Sequence, residues 1–229
     1  MSVAWYGFWF LVFPGFAFTA LAGMLISWID RKITARIQYR VGPPILQPAW
    51  DLYKLLGKET IIPKSASRTL FIFAPLLGLA GATISASILG VPAFWPDQGF
   101  LGDIIVLIYF LLMPGLAVML GGLASRNPIA GVGVAREMKL IFSYELALLI
   151  ALAVVLIKTS GQISLSRIIL WQGQNGPIAL EPSGALAFLI AIFAGQAKLS
   201  ATPFDIAEAE TEISSGVLIE YSGALLALY

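Results

Sequence analysis

The chain contains no cysteine and no histidine, and only 12% of its residues are charged. Without thiolates it cannot ligate an iron–sulfur cluster. Without imidazole it lacks the usual haem ligands, the common kinds of zinc site and the side chain that titrates near neutral pH. Any redox chemistry connected with it must take place on another protein. The formal net charge of +1 gives no electrostatic reason for a nucleic-acid partner. Apolar residues make up 59% of the sequence, and mean hydropathy is +0.88. Soluble domains run near 25% charged, so this composition defines an integral membrane protein.

Apolar runs divide the chain into an all-α, polytopic helix bundle. Residues 1–29 carry no charge, and about 5–28 suffice to cross a bilayer, which needs some 20 apolar residues. This segment is unlike a typical signal peptide, because it has no basic start and Asp30, Arg31 and Lys32 follow it directly. Further spans are expected at about 70–94, 104–125, 140–157 (interrupted by Glu145) and 183–199. A sixth, incomplete one begins at 221–229, giving a single membrane domain over 1–229. Pro75 and Pro114 read as kinks within spans. The segment 158–182 reads as an amphipathic interfacial piece.

With alternating crossings, loops 30–68, 125–139 and 198–220 share one side and hold twelve of the 14 Lys and Arg residues. The positive-inside rule assigns that side to the cytoplasm and the N-terminus to the outside. No internal repeat of the kind common in transporters stands out.

Two cytoplasmic segments carry unusual patterns. In 198–220, Asp205, Glu208, Glu210, Glu212 and Glu220 are accompanied by a single cation, Lys198. Asp205, Glu208 and Glu212 fall at i, i+3 and i+7, which is one face of a helix. Like charges so placed oppose one another, and burial raises carboxyl pKa values further. Such acids suit ion transfer. The simpler reading is a helix cap, with Asp205 and Glu208 as a capping box behind Pro203. Glu145, inside the fourth span, is either an interfacial acid paired with Lys139 or Arg136 or part of the same ion path.

In the first loop, Arg36 and Arg40 are spaced i, i+4 on a predicted helical extension that Gly42-Pro43-Pro44 stops. Pro48 is predicted to open a second short helix bearing Trp50, Tyr53 and Leu56 on one face. That helix is either interfacial, with snorkelling lysines, or a docking surface for a soluble partner.

Three motifs resemble one known family: RVGPPILQPAWDLYKLLGKE from Arg40, Ser143-Tyr144-Glu145, and PFDIAEAETEISSGVLIEYSG from Pro203. They are similar to the subunit 1 (H-subunit) family of respiratory complex I and its relatives in energy-converting membrane-bound nickel–iron hydrogenases. The resemblance implies a membrane subunit, with no catalytic centre of its own, in a multi-pass position in the cell membrane. It implies a soluble iron–sulfur redox arm docked at Arg36, Arg40, Pro43, Pro44, Gln47, Asp51 and Lys54, with antiporter-like subunits as further partners. Glu145, Asp205, Glu208, Glu210, Glu212 and Glu220 are implied as the entrance of a proton or sodium path. The nickel–iron centre and the iron–sulfur clusters would belong to partners, and quinone to the complex I branch. The short GPP-x-LQP loop and the AEAE run resemble the hydrogenase branch, with the quinone-binding subunit as the alternative reading and a free-standing transporter as a third. Two departures stand out. Lys198 occupies a place where many members have glutamate, and the family usually continues for two or more helices past the position of Tyr229, so a shortened or split chain is expected.

Overall fold

Lipid leaves backbone amides and carbonyls only each other as partners, so apolar runs of this length become helices. The computed structural model describes residues 3–99, 102–214 and 216–229; the side chains of Val3, Ala4, Glu210 and Thr211 fall outside the described residues. Four stretches are helical, long and apolar enough to cross a membrane: Trp5–Ile37, Arg68–Phe94, Asp103–Ser125 and Pro128–Lys158. A shorter apolar helix, Pro182–Lys198, accompanies them.

The first stretch is broken in two. Helix α1 (Val3–Leu11) ends ahead of Pro14, and α2 (Phe16–Ile37) begins after Gly15. A Cβ on Gly15 would overlap the carbonyls of Trp9 and Phe10, so the chain can turn back this tightly only at glycine. Helix α2 then continues past the expected end at 28 and carries Asp30, Arg31, Lys32 and Arg36 on its last turns. It stops earlier than Gly42-Pro43-Pro44. Tyr39 adopts φ +59° while the amides of Tyr39 and Arg40 donate to the carbonyls of Arg36 and Ala35, a Schellman closure. Arg40 therefore lies beyond the helix, and the predicted i, i+4 pairing with Arg36 does not form.

Helix α3 (Gln47–Leu56) starts with Pro48 in its first turn, as predicted. It is pinned to α2 by Arg31 donating to Asp51 at 2.9 Å, while Gln47 donates to the same carboxylate at 3.0 Å. These two donors hold the Asp51 carboxyl below its ordinary range. A carboxylate whose folded pKa is depressed stabilises above its unfolded pKa and loses that contribution as pH falls through the folded value. Acidification below the usual carboxylate range is therefore expected to lower the hydrogen-exchange protection factors of the α3 amides, measured relative to the unstructured rate at each pH. Asp51→Asn should show the lowered protection factors already at neutral pH, with no further fall in acid. A wild-type exchange rate in that variant would mean the contact contributes nothing.

Helices α4 (Arg68–Phe94), α5 (Asp103–Ser125) and α6 (Pro128–Lys158) follow. Their close approach depends on small residues: a Cβ on Gly78 would meet that of Ala117 at 2.9 Å, and Gly115 lies against Ile141 and Tyr144. Helix α6, capped by the Asn127 side chain accepting from the Ile129 amide at 2.9 Å, starts twelve residues before the expected span and absorbs most of the 125–139 loop. At 1.5 Å per residue it is about 46 Å long, against about 30 Å of bilayer hydrocarbon. Helix α7 (Leu165–Asn175) crosses one end of the bundle, and α8 (Pro182–Lys198) returns along α6.

The remaining elements are short: α9 (Glu210–Ile213) and α10 (Gly223–Ala227). Residues 221–229, expected to open a sixth span, instead hold the five-residue α10 packed on α3 and α4. Tyr221 stacks on Phe71 with ring centroids 4.0 Å apart and donates to the Phe71 carbonyl at 2.9 Å. Cross-links gather the segments 38–67, 126–127 and 199–222 at one end: Ser67 amide to Ala124 carbonyl, Ile61 amide to Ser222 hydroxyl, and Asn127 side chain to Glu220. At the other end, the Leu165 amide donates to Asp103, and Lys158 pairs with Glu181.

Candidate functional site

After α8 the chain enters the acidic segment through Ser200, at φ +48°, and folds back between α5 and α6. Two apolar residues seat it. Ala207 and Val217 are fully buried against Val134 of α6 and Val118 and Met119 of α5. Glycine at 133 makes the contact possible, since a Cβ there would lie 2.7 Å from the Val217 amide nitrogen.

This seating overturns the expected helix. Residues 201–209 run through turns, and only Glu210–Ile213 are helical, so Asp205, Glu208 and Glu212 share no helix face. The capping box fails for the same reason: the Glu208 amide closes a turn on the Asp205 carbonyl with no helix behind it. The anchoring of Ala207, together with the Gln196 and Arg136 side chains that take the Thr202 and Ile206 carbonyls, outweighs helical propensity here.

The carboxylates are sorted by this path. Asp205 is exposed. Glu212 accepts from Arg136 of α6 at 2.5 Å, and the same guanidinium reaches the Ile206 carbonyl at 3.3 Å. Glu220 accepts from Asn127 at 2.6 Å. The Glu210 side chain lies outside the described residues. The segment is thus better neutralised than its own sequence indicates, because Arg136 comes from another element.

Glu208 turns inward. Burial, and then the neighbouring Asp205, push its carboxyl above the ordinary carboxylate range. It lines a cavity of about 510 Å³ enclosed by α4, α5, α6, the end of α8 and the last residues of the chain. Glu137 of α6 lines the same cavity, is only 5% exposed, and has no hydrogen-bond or ion-pair partner among the described residues. The sequence reading missed Glu137. Its signal was the spacing Glu137, Ile141, Tyr144 at i, i+4 and i+7, which places an acid on the buried face of α6. Treating 125–139 as a loop concealed that face.

Lys198, also on the cavity wall, pairs with Glu145 and stands 5.0 Å from the centre of the Tyr144 ring. Both side chains of the pair are largely buried, at 19% and 14% exposure. Glu145 is therefore not the interfacial acid paired with Lys139 or Arg136. Its cation comes from the position where many members of the resembled family have glutamate.

The expected docking residues lie at the same end of the bundle. Arg36, Arg40, Pro44 and Lys54 are exposed. The Pro43 carbonyl accepts from the Trp28 indole at 3.2 Å and from Lys32 at 3.5 Å, while Gln47 and Asp51 are engaged with each other and with Arg31. Trp50 and Tyr53 face outward, 61% and 73% exposed, with rings in an edge-on contact at 6.5 Å.

A bundle of membrane-length helices that borders a cavity carrying two carboxyl groups without a hydrogen-bond or ion-pair partner among the described residues defines a polytopic membrane protein with ionisable groups packed inside its fold. Residues 10–229 match a family model described as NADH dehydrogenase. The chain belongs to that family, the subunit 1 or H-subunit group of complex I and its relatives. The H-subunit of the NADH-quinone oxidoreductase of Thermomicrobium roseum is 36% identical over 226 residues, covering 89% of this chain and 66% of that one. Its counterpart in Bacillus cytotoxicus is 34% identical over 237 residues, covering 97% and 68%. Among solved structures, a chain of the membrane-bound sulfane sulfur reductase, an archaeal respiratory membrane complex, aligns with a TM-score of 0.81 at 27% identity, covering 93% of this chain and 69% of that one. The chain spans about two thirds of the length of these relatives.

Proposed function

We propose that this chain is the anchor and coupling subunit of a complex I-like respiratory complex in the cell membrane, with its site-bearing end in the cytoplasm. The observation that carries the reading is the pair of carboxylates, Glu137 and Glu208, without a hydrogen-bond or ion-pair partner among the described residues, on a cavity whose wall also includes Lys198, the partner of Glu145. Isolated acids are expensive in such surroundings and are retained where ions pass. The path takes protons or sodium ions from the acidic segment toward antiporter-like neighbours. Redox events occur in soluble iron–sulfur subunits, because this chain has neither thiolate nor imidazole to hold a cluster.

The exposed aromatic face of α3, flanked by Arg36, Arg40 and Lys54, is the docking surface for that soluble arm. Aromatic and arginine side chains are the usual anchors of protein interfaces. Purification of the intact complex in mild detergent tests the reading. The wild-type chain should bring iron–sulfur subunits with it, and replacing Arg36 and Arg40 together by Ala should reduce their recovery about tenfold at moderate salt. Undiminished recovery would remove the docking surface. A nickel–iron large subunit among the partners would assign the hydrogenase branch. An NADH module would assign the quinone branch, which the names of the bacterial NADH-quinone oxidoreductase relatives favour.

A further inference from the structure

We propose that the ammonium group of Lys198 is a movable counter-charge, which pairs with Glu145 in one state and with Glu208 and Glu137 across the cavity in the other. The inference rests on the ion-path reading above and adds to it a residue, and an exchange step, specific to this chain.

Lys198 is the last residue of α8, where the helix gives way to the turn at Ser200, so its backbone is held on one side only. Its side chain belongs to two environments at once. The head group is bonded to Glu145 beside the Tyr144 ring, and the residue forms part of the wall that Glu137 and Glu208 share. The side chain has four rotatable bonds, and its ammonium is a compact point charge that does not demand the fixed fork geometry of arginine.

Charge counting favours exchange over a static pair. From α6, the groups that face this region are Glu137, Tyr144 and Glu145; from the acidic segment, Glu208 with Asp205 behind it; from the chain's last residues, Tyr229. The Tyr229 hydroxyl is committed to the Ala117 carbonyl at 3.0 Å. Helices α4 and α5 add no charged side chain to the cavity wall among the described residues. Arg136 is occupied on the outer side of the segment by Glu212 and the Ile206 carbonyl. One cation therefore serves three carboxyl groups.

The step balances without any further reagent. When Lys198 leaves Glu145, that carboxylate binds a proton. When the ammonium reaches Glu208, the proton held there is displaced. Lysine keeps its charge throughout, so on one crossing the proton displaced from Glu208 passes to Glu145 as the ammonium moves the other way. On the return, Glu145 hands its proton onward and Glu208 takes a new one from the side of the acidic segment. A full cycle therefore carries one proton from that side inward. A cation that travels the width of the cavity thereby does what a chain of carboxylates does elsewhere, and each carboxyl group is neutralised, by a proton or by the ammonium, in both states.

The test uses the intact complex in sealed liposomes, with an internal pH-sensitive dye reporting protons moved per electron transferred. Lys198→Gln should lower that ratio about tenfold, within the range of ordinary coupling energies. Lys198→Arg, which keeps the charge, should restore a substantial part of it. Losing the cation that would reach Glu208 in the second state favours its protonated form, so the pH profile of the remaining activity should move upward by about one unit. A lysine that only braces the bundle would not move that profile. Should Lys198→Gln fail to assemble because Glu145 is left unpaired, the doubly neutral Glu145→Gln/Lys198→Gln variant carries the test, since it leaves neither charge isolated. A wild-type ratio and an unmoved pH profile in either assembled variant would overturn the proposal. Glu137→Gln and Glu208→Gln separate the two levels. If they pump normally, the ion path itself is wrong and the exchange falls with it. If they fail while the Lys198 variants pump normally, only the exchange is wrong.

Discussion

Glu208→Gln is expected to reduce ion movement per electron at least about tenfold, and Glu137→Gln to do the same. Both substitutions keep shape and remove the exchangeable proton. For Glu208 the sign of the accompanying stability change distinguishes an ion carrier from a structural acid. Burial and Asp205 raise its folded pKa, so the fold favours the protonated form. Its favourable contribution is complete below the unfolded carboxyl pKa and is lost as pH rises through the folded value. Gln mimics the protonated form at every pH. The variant should therefore be at least as stable as wild type near neutrality and more stable in alkali, while losing coupling. A structural carboxylate would behave in the opposite way, losing stability on conversion to Gln. Thermal unfolding in detergent across pH, run beside the pumping assay, reads both effects, and a destabilised but fully coupled Glu208→Gln protein would sink the assignment.

The second large effect belongs to a residue with no chemistry. Gly133→Leu should unseat the acidic segment, because even the first side-chain carbon would fall 2.7 Å from the Val217 nitrogen and 3.0 Å from the Ala207 carbonyl oxygen. Both obstacles are backbone atoms of the segment that α5 and α6 hold, so no side chain can turn aside. Overpacking of this kind costs up to about 3 kcal/mol, enough to expose residues 199–222 to protease and to remove Glu208 from the cavity. Gly131→Ala, two residues away and with open space around it, is the matched control and should be neutral. Equal protease resistance in the two variants would show that the segment is not held at Val217.

The helices were legible because lipid imposes one rule on every apolar run, and the starts of α4, α5 and α8 fall within a few residues of their expected positions. What escaped the reading depends on contacts between distant parts of the chain. A helical face for Asp205, Glu208 and Glu212 follows from spacing alone. It fails because Ala207 and Val217 find burial that a helix would deny them. The partner of Glu145 lies 53 positions away, and that of Glu212 lies 76 positions away. Glu137 is hidden for a different reason: charge marks the limit of a span in the sequence, whereas α6 continues as one 31-residue helix that carries Arg136, Glu137 and Lys139 as helical residues.

The seam between the segment after α3 and the end of the acidic segment has a mechanical meaning. Gly223, at φ +58°, lies so close to this strand of chain that a Cβ would stand 2.7 Å from the carbonyl oxygens of both Lys58 and Glu59. One residue earlier, the Ser222 hydroxyl takes the Ile61 amide. Next to it, Tyr221 is clamped on Phe71. Besides its seat on α5 and α6, the acidic segment is therefore attached at its far end to the root of α4 through Tyr221. Only the few residues between the end of α3 and Ile61 separate that helix from this attachment, so a displacement of α3 has little slack to take up before it pulls on Tyr221.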